Sequence, residues 1–373
     1  MILRSRLHIA ELYVGTARSC EPFRGWKQCS ISLLVDNNPL AERTYLHNFP
    51  KAPYLLADLT RINSDQLLSL AGGRVDIILG CPPCQGFSDA GTKDPRDPRN
   101  SHMENFGRLA EKLKPLAVGM ENVPLAAGTS QFRKFVRRME RAGYAWTAGI
   151  LNGALHGSSQ SRQRLVYIAI RGDVQAVPSI PPPTHGGSRK YFSYHFGAMT
   201  SINSDYLSML GLTPATRRIR KTLPYQEDGL GYRDIPYVEE VLEGLPPIGT
   251  PEAERLSHRQ WNHTQLQLRR MGKVPEGGRW RGGHDYYSQC YGRLHRRGLA
   301  RTITTFFSNP GSGRFWHPTE NRALTLREAA RIQGFPDSFM FLPPFSCSAK
   351  LVGNALDSSI SSITYRVIRD CLG

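Results

Sequence analysis

Val75-Asp76-Ile77-Ile78-Leu79-Gly80-Cys81-Pro82-Pro83-Cys84-Gln85-Gly86 begins as an apolar strand and ends in a thiol braced by prolines. Two adjacent prolines set φ and remove two N–H donors, so the segment continues neither as helix nor as central strand. Gly86 and Gly91 then release the chain into a polar loop, Asp89 to Ser101. A stiffly held sulfur at a strand end, beside a loop, is the arrangement a nucleophilic site needs. The Cys81–Cys84 spacing serves a redox pair or half of a zinc site equally well. These residues alone do not choose.

Upstream, Ile9 to Gly15 reads as a strand that ends in the turn Val14-Gly15-Thr16-Ala17-Arg18-Ser19. Ile31 to Val35 is a second strand with Asp36 at its end. Pro39 opens a helix with Leu40, Ala41 and Tyr45 on one face. Tyr54 to Asp58 is a third strand, again ending in a carboxylate. Downstream, Phe106, Leu109, Ala110 and Leu113 have helical spacing, and Leu116 to Met120 is a strand that delivers Glu121-Asn122-Val123-Pro124. A second amphipathic helix turns Phe132, Phe135, Val136 and Met139 inward and Arg133, Lys134, Arg137 and Arg138 outward. Gln160-Ser161-Arg162-Gln163-Arg164 precedes the strand Leu165 to Ile170, and the alternation predicts that both arginines point the same way. Strands alternating with helices predict an α/β fold with a Rossmann-like, doubly wound sheet. Ligands of such sheets sit outside the carboxyl ends of the strands, which gathers Tyr13, Asp36, Asp58 and Cys84 into one crevice. Asp36, about 20 residues past the first turn, suits a ribose diol.

The 373 residues include 48 Lys and Arg against 31 Asp and Glu, a formal charge of +17 that points to a polyanion such as nucleic acid. Seven irregularly spaced cysteines, no signal peptide and no apolar run near 20 residues predict a reduced, cytoplasmic protein without a membrane span. No second cysteine or histidine pair completes a zinc site, so no metal is expected. Prolines and glycines between Pro178 and Gly187 mark a boundary. Residues 188 to 300 lack periodicity and carry Arg217 to Lys221 and a basic run from Arg255 to Arg301. The second run interleaves Trp261, Trp280, Tyr286, Tyr287 and Tyr291, a mixture suited to phosphate and exposed base. Strand character resumes at Ala300 to Thr305, Leu326 to Gln333 is helical, and Lys350 to Leu356 leads into a final amphipathic segment.

Taken together, Pro82-Pro83-Cys84-Gln85, Glu121-Asn122-Val123, Gln160 to Arg164, Arg301 to Thr305, Arg327 to Pro336 and Gly353-Asn354-Ala355 resemble, in order, the motifs of the C5-cytosine DNA methyltransferase family. The resemblance implies an S-adenosyl-L-methionine-dependent fold with a smaller, irregular target-recognition domain. Residues 1–177 would be catalytic and cofactor-binding, 178–344 would recognise the target, and 345–373 would return to the catalytic domain. It implies a monomeric, nucleoid-associated enzyme of restriction-modification type. Its partners would be double-stranded DNA and a cognate restriction endonuclease. Cys84 would add to carbon 6 of a flipped cytosine and Glu121 would hold N3 and the amine. Arg162 and Arg164 would supply positive charge beside the base oxygen and thiolate. Tyr13 would lie against the cofactor adenine, Asp36 would hold the ribose and Asp58 the adenine amine. Gly15, Leu59, Pro82, Asn354 and Ala355 would line the rest. The family's F-x-G-x-G-G turn reads Tyr13-Val14-Gly15-Thr16-Ala17-Arg18 here, so Ala17 and Arg18 replace two glycines, and Arg18 is expected on the cofactor carboxylate. Two other readings stay open, a DNA-binding paralogue that has lost methyl transfer and an RNA cytosine-5 methyltransferase.

Overall fold

A computed structural model describes residues 6–83, 101–186, 233–281 and 290–373. Seven strands form the main sheet: β1 Leu7–Leu12, β2 Cys29–Asp36, β3 Tyr54–Leu56, β4 Ile77–Gly80, β5 Ala117–Asn122, β6 Tyr144–Asn152 and, after the two-residue β7 Gln160–Ser161, β8 Gln163–Arg171. Their order is β3-β2-β1-β4-β5-β8-β6. β1 to β5 pair in parallel, with α1 Pro39–Asn48, α2 Ser64–Leu70 and α3 Ser101–Leu113 in the connections. The expected doubly wound sheet is present, with one departure. β8 runs antiparallel to both β5 and β6. A crossover to a parallel neighbour takes about a dozen or more residues. Residues 153–162, already holding a 3-10 turn and β7, are too few. The chain crosses from β5 to β6 through α4 Ser130–Arg141 and then doubles back into the gap between them.

Side-chain alternation along the strands builds one core on each face of the sheet. Ala10, Leu12, Ile78, Val118, Met120, Leu165, Tyr167 and Ala169 pack against Phe106 and Leu109 of α3 and Phe132 and Phe135 of α4. Leu7, Ile9, Ile77, Leu79, Val166, Ile168 and Ile170 face the other way, toward Ile360, Ile363, Val367 and Ile368 of the last helix, Ser358–Leu372. Ile303, Phe307, Phe315, Leu324, Phe335, Phe339 and Phe341 belong to that same cluster. Residues on either side of position 344 thus share one cluster. A separate small cluster holds Met271, Val274 and Trp316.

Candidate active site

Parallel pairing brings the carboxyl ends of β1 to β5 to one edge of the sheet, and antiparallel pairing brings the amino end of β8 there too. Glu121 stands opposite Val166 and Asn122 opposite Leu165, so Arg164 enters β8 beside them. Arg164 Nε lies 2.7 Å from Glu121 Oε1, with the two side chains 15% and 14% exposed. Oε1 is out of water and takes no aligned hydrogen bond, so the contact is an ion pair with an acceptor lone pair unfilled. Asn122 donates through Nδ2 to Pro82 O at 3.2 Å and accepts from Val123 N–H at 2.9 Å. Its buried amide thus ties the glutamate strand to the proline segment. Cys81 Sγ is 3.4 Å from Ser19 Oγ. Burial first, and then the Glu121 charge, push this thiol well above the usual range, so Cys81 stays protonated. Cys84 and residues 89–100 of the expected lid lie outside the described residues.

Arg162 takes a different direction from Arg164. It is buried, with Nη1 donating to Ile303 O at 3.1 Å and Nη2 to Gly353 O and Ala355 O at 3.2 and 3.0 Å. The common orientation expected from alternation fails because Arg162 lies in the break between β7 and β8, not within a strand. Gln160 completes this junction. Its Nε2 donates to Asp357 Oδ2 at 2.9 Å, to Ile332 O at 3.1 Å and to Gln333 Oε1, while Oε1 accepts from Ile303 N–H at 3.2 Å. Asn354 is exposed, and Ala355 is buried with its carbonyl shared between Arg162 and Gln333 Nε2. Position 353 admits only glycine, since a Cβ there would fall 2.4 Å from Thr304 C and Thr305 N.

The residues expected to hold the cofactor gather at the ends of β1, β2 and β3. Asp36 accepts from Gly15 N–H at 2.8 Å and Asn38 N–H at 2.9 Å, one through each oxygen, with the Asn37 N–H also turned toward it. Burial raises this carboxyl above its ordinary value. Asp58 is half-exposed; its Oδ1 accepts from Thr60 N–H and Oγ1–H, which holds it below the usual carboxylate range, and its Oδ2 lies 3.7 Å from Arg61 Nε. The Tyr13 hydroxyl donates to His102 O at 3.3 Å, and the two rings meet edge to face at 5.4 Å. Leu59 is buried, and its carbonyl accepts from Asn105 Nδ2 at 2.9 Å. Among the described residues, chain neighbours apart, no atom lies within 4 Å of where a Cβ on Gly15 would stand. Two carboxylates at strand ends, an aromatic ring and, among the described residues, open room at a glycine fit a nucleoside-bearing methyl donor.

The altered first turn keeps a glycine-like path. Tyr13, Gly15 and Ala17 have φ of 58°, 53° and 55°, so Ala17 occupies the left-handed region that glycine adopts without strain. Arg18 is buried, donates to Gly334 O at 2.7 Å and lies 4.6 Å above the Phe335 ring. Its guanidinium fastens the turn to the Gln333-Gly334-Phe335 segment, a role the expectation of a cofactor contact did not contain. Sequence reasoning also missed His102 and Asn105, whose side chains reach Tyr13 and Leu59. Both precede the apolar helical spacing that marked α3, and only their place three residues apart in its first turns marks them.

A family model described as C-5 cytosine-specific DNA methylase matches residues 19–368. The Type II methylase M.HgiDII of Herpetosiphon aurantiacus is 26% identical over 356 residues, spanning 90% of this chain and 87% of that protein. The Type II methyltransferase M.DdeI of Desulfomicrobium norvegicum is 28% identical over 367 residues, spanning 90% and 80%. Among solved structures, a putative DNA modification methyltransferase encoded within an E. coli prophage aligns with a TM-score of 0.67 at 19% identity, covering 98% of this chain and 99% of that one. The Dnmt2 methyltransferase of S. pombe aligns with a TM-score of 0.64 at 16% identity, covering 98% and 99%.

Proposed function

Because the chain belongs to the C-5 cytosine-specific DNA methylase family, we propose that its methyl transfer runs through Cys84, Glu121 and Arg164 at the carboxyl edge of the sheet. It is a DNA (cytosine-5)-methyltransferase that uses S-adenosyl-L-methionine. The observation that supports this use of the edge is the Glu121–Arg164 ion pair, fastened through Asn122 to the segment that leads into Cys84.

Carbon 5 of cytosine is a weak nucleophile. Addition of the Cys84 thiolate to carbon 6 pushes electron density onto carbon 5. Negative charge gathers on the ring as it does so, and Glu121, ion-paired with Arg164 in the free protein, must take up a proton in that contact to donate to N3 while it accepts from the exocyclic amine. Arg164, already beside Glu121, stabilises the same charge from the base oxygen side. Arg162 acts at a distance, by holding Ile303, Gly353 and Ala355 in place. Tyr13, Gly15, Asp36, Asp58, Leu59, Pro82, Asn354 and Ala355 would hold S-adenosyl-L-methionine, which when bound supplies an electrophilic methyl group. Loss of the carbon 5 proton and departure of the sulfur restore the ring. Nothing in this chemistry reaches a paired base, so the cytosine must leave the helix.

Target reading would fall to residues 178–344, with the enzyme working as a monomer. The Type II names of the relatives support a cognate endonuclease. Bisulfite sequencing of DNA from cells expressing the chain tests the assignment. Protected cytosines at one short sequence, lost in Cys84→Ser, are expected. Labelled methyl groups in RNA but not DNA would overturn it.

A further inference from the structure

Phe306 presents an exposed aromatic ring next in sequence to the threonines that meet Gly353. Its side chain is 59% exposed, and among the described residues it is the one aromatic in the set of exposed large apolar side chains. A single exposed apolar residue ordinarily needs no explanation. This one differs in how its backbone is held. Its N–H donates to Thr304 Oγ1 at 3.4 Å, and its carbonyl accepts from Asn309 N–H at 2.9 Å and Ser312 Oγ–H at 2.5 Å. The next residue, Phe307, is fully buried and anchors the turn in the core. The ring is therefore carried outward on a fixed support.

Its place in the fold gives that support a purpose. Thr304 and Thr305 touch Gly353, and Ile303 is bonded to Arg162, so Phe306 follows directly on the backbone that closes the catalytic edge. The same loop continues to Gly311, which packs on Tyr291 in the aromatic and basic segment around Trp280 and Arg281. Phe306 thus stands between the reaction edge and the region expected to face the duplex. Resting on the methyltransferase reading above, we propose that Phe306 stacks on a base laid bare when the target cytosine swings out, and so favours the extruded state. Phenylalanine wedges between base steps act in this way, and stacking on an aromatic ring accepts any base. Phe306 is a positioning residue that touches no reacting atom.

The test uses the full chain and a duplex carrying the sequence that bisulfite mapping returns, with 2-aminopurine in place of the target cytosine. Extrusion unstacks the probe and raises its fluorescence. Wild type should give that rise, and Phe306→Ala should reduce both the rise and single-turnover methylation of the unmodified duplex by roughly 10-fold. Phe306→Trp should restore both, whereas Phe306→Leu, apolar but without a flat face, should not. Calorimetric affinity for S-adenosyl-L-methionine should be unchanged in all three. Equal recovery by leucine and tryptophan, or an alanine variant that matches wild type, overturns the stacking role while the enzymatic reading stands. A wild-type chain that neither binds nor methylates the duplex overturns both.

Discussion

Replacing Arg164 by alanine removes the cation 2.7 Å from Glu121. The two side chains are largely buried, so leaving the Glu121 carboxylate unpaired costs up to about 3–5 kcal/mol, and a donor aimed at developing charge carries roughly 10²-fold in kcat besides. Arg164→Ala should therefore lose about 10²-fold in kcat even at temperatures where the variant is fully folded. Arg162→Met should act through stability alone, because three carbonyls lose their donor, at a cost of about 3 kcal/mol or more. Its activity loss should track a lower Tm. Full activity in folded Arg164→Ala, or a roughly 10²-fold loss of kcat in folded Arg162→Met, would contradict the separation of roles. Glu11 supplies a pH prediction. Its carboxyl is buried under the first turn, accepts Cys20 N–H at 2.9 Å, and is raised by burial from 4.5 to about 7. The folded chain keeps this proton where the unfolded chain has lost it. The contribution is thus complete below pH 4.5 and disappears as pH rises through about 7, a loss of about 3 kcal/mol at most. The difference between the stability–pH curves of wild type and Glu11→Gln should slope across that window, and a flat difference would refute the assignment. Residue types were legible from the sequence here, since Glu121 and Arg164 stand together where motif order placed them. Their partners were not. Arg162 differs from Arg164 only through carbonyls from residues 303 to 355, which no local pattern encodes.

At the scale of elements, short segments with apolar alternation or helical spacing were readable, and β1, β2, α1, α3, β5, α4 and β8 lie where those patterns fall. α2 escaped because Ser64 to Leu70 carries little apolar face, although Asn63 and Gln66 form a capping box that the N-x-x-Q spacing advertises. β6 escaped because its small and polar residues weaken the alternation, and its antiparallel return depends on the length of the link to β8. The helix Phe345–Asn354 ends against the segment Ile303–Thr305, and Gly353 is the point of contact. A Cβ at 2.4 Å from backbone atoms cannot be relieved by a rotamer change. Gly353→Ala should therefore push the helix end away, lower stability by about 1–3 kcal/mol, and weaken S-adenosyl-L-methionine binding by displacing Asn354 and Ala355. Unchanged cofactor affinity by calorimetry would show that this helix end does not line the pocket.

Taken whole, the molecule carries 48 basic against 31 acidic residues, and its affinity for DNA should show it. Neutralising six to ten phosphates releases counterions and costs roughly 10³–10⁵ in affinity between 50 and 200 mM salt. A drop of at least about 10²-fold in duplex affinity over that range is expected, and salt-independent binding would contradict a phosphate-led interface. Composition announced this partner, and periodicity returns from Ala300 onward, but that Phe307, Phe315, Phe335, Phe339 and Phe341 complete the core on one face of the sheet depends on contacts that no local pattern encodes. The account depends most on a covalent bond between the Cys84 sulfur and carbon 6 of an extruded cytosine. Fluorine at carbon 5 cannot leave as a proton does, so a duplex with 5-fluorocytosine at the target should trap that bond. Denaturing mass spectrometry in the presence of S-adenosyl-L-methionine should find protein and DNA strand as one species, absent in Cys84→Ser. Free protein alone, with cofactor and target both bound, would contradict the account.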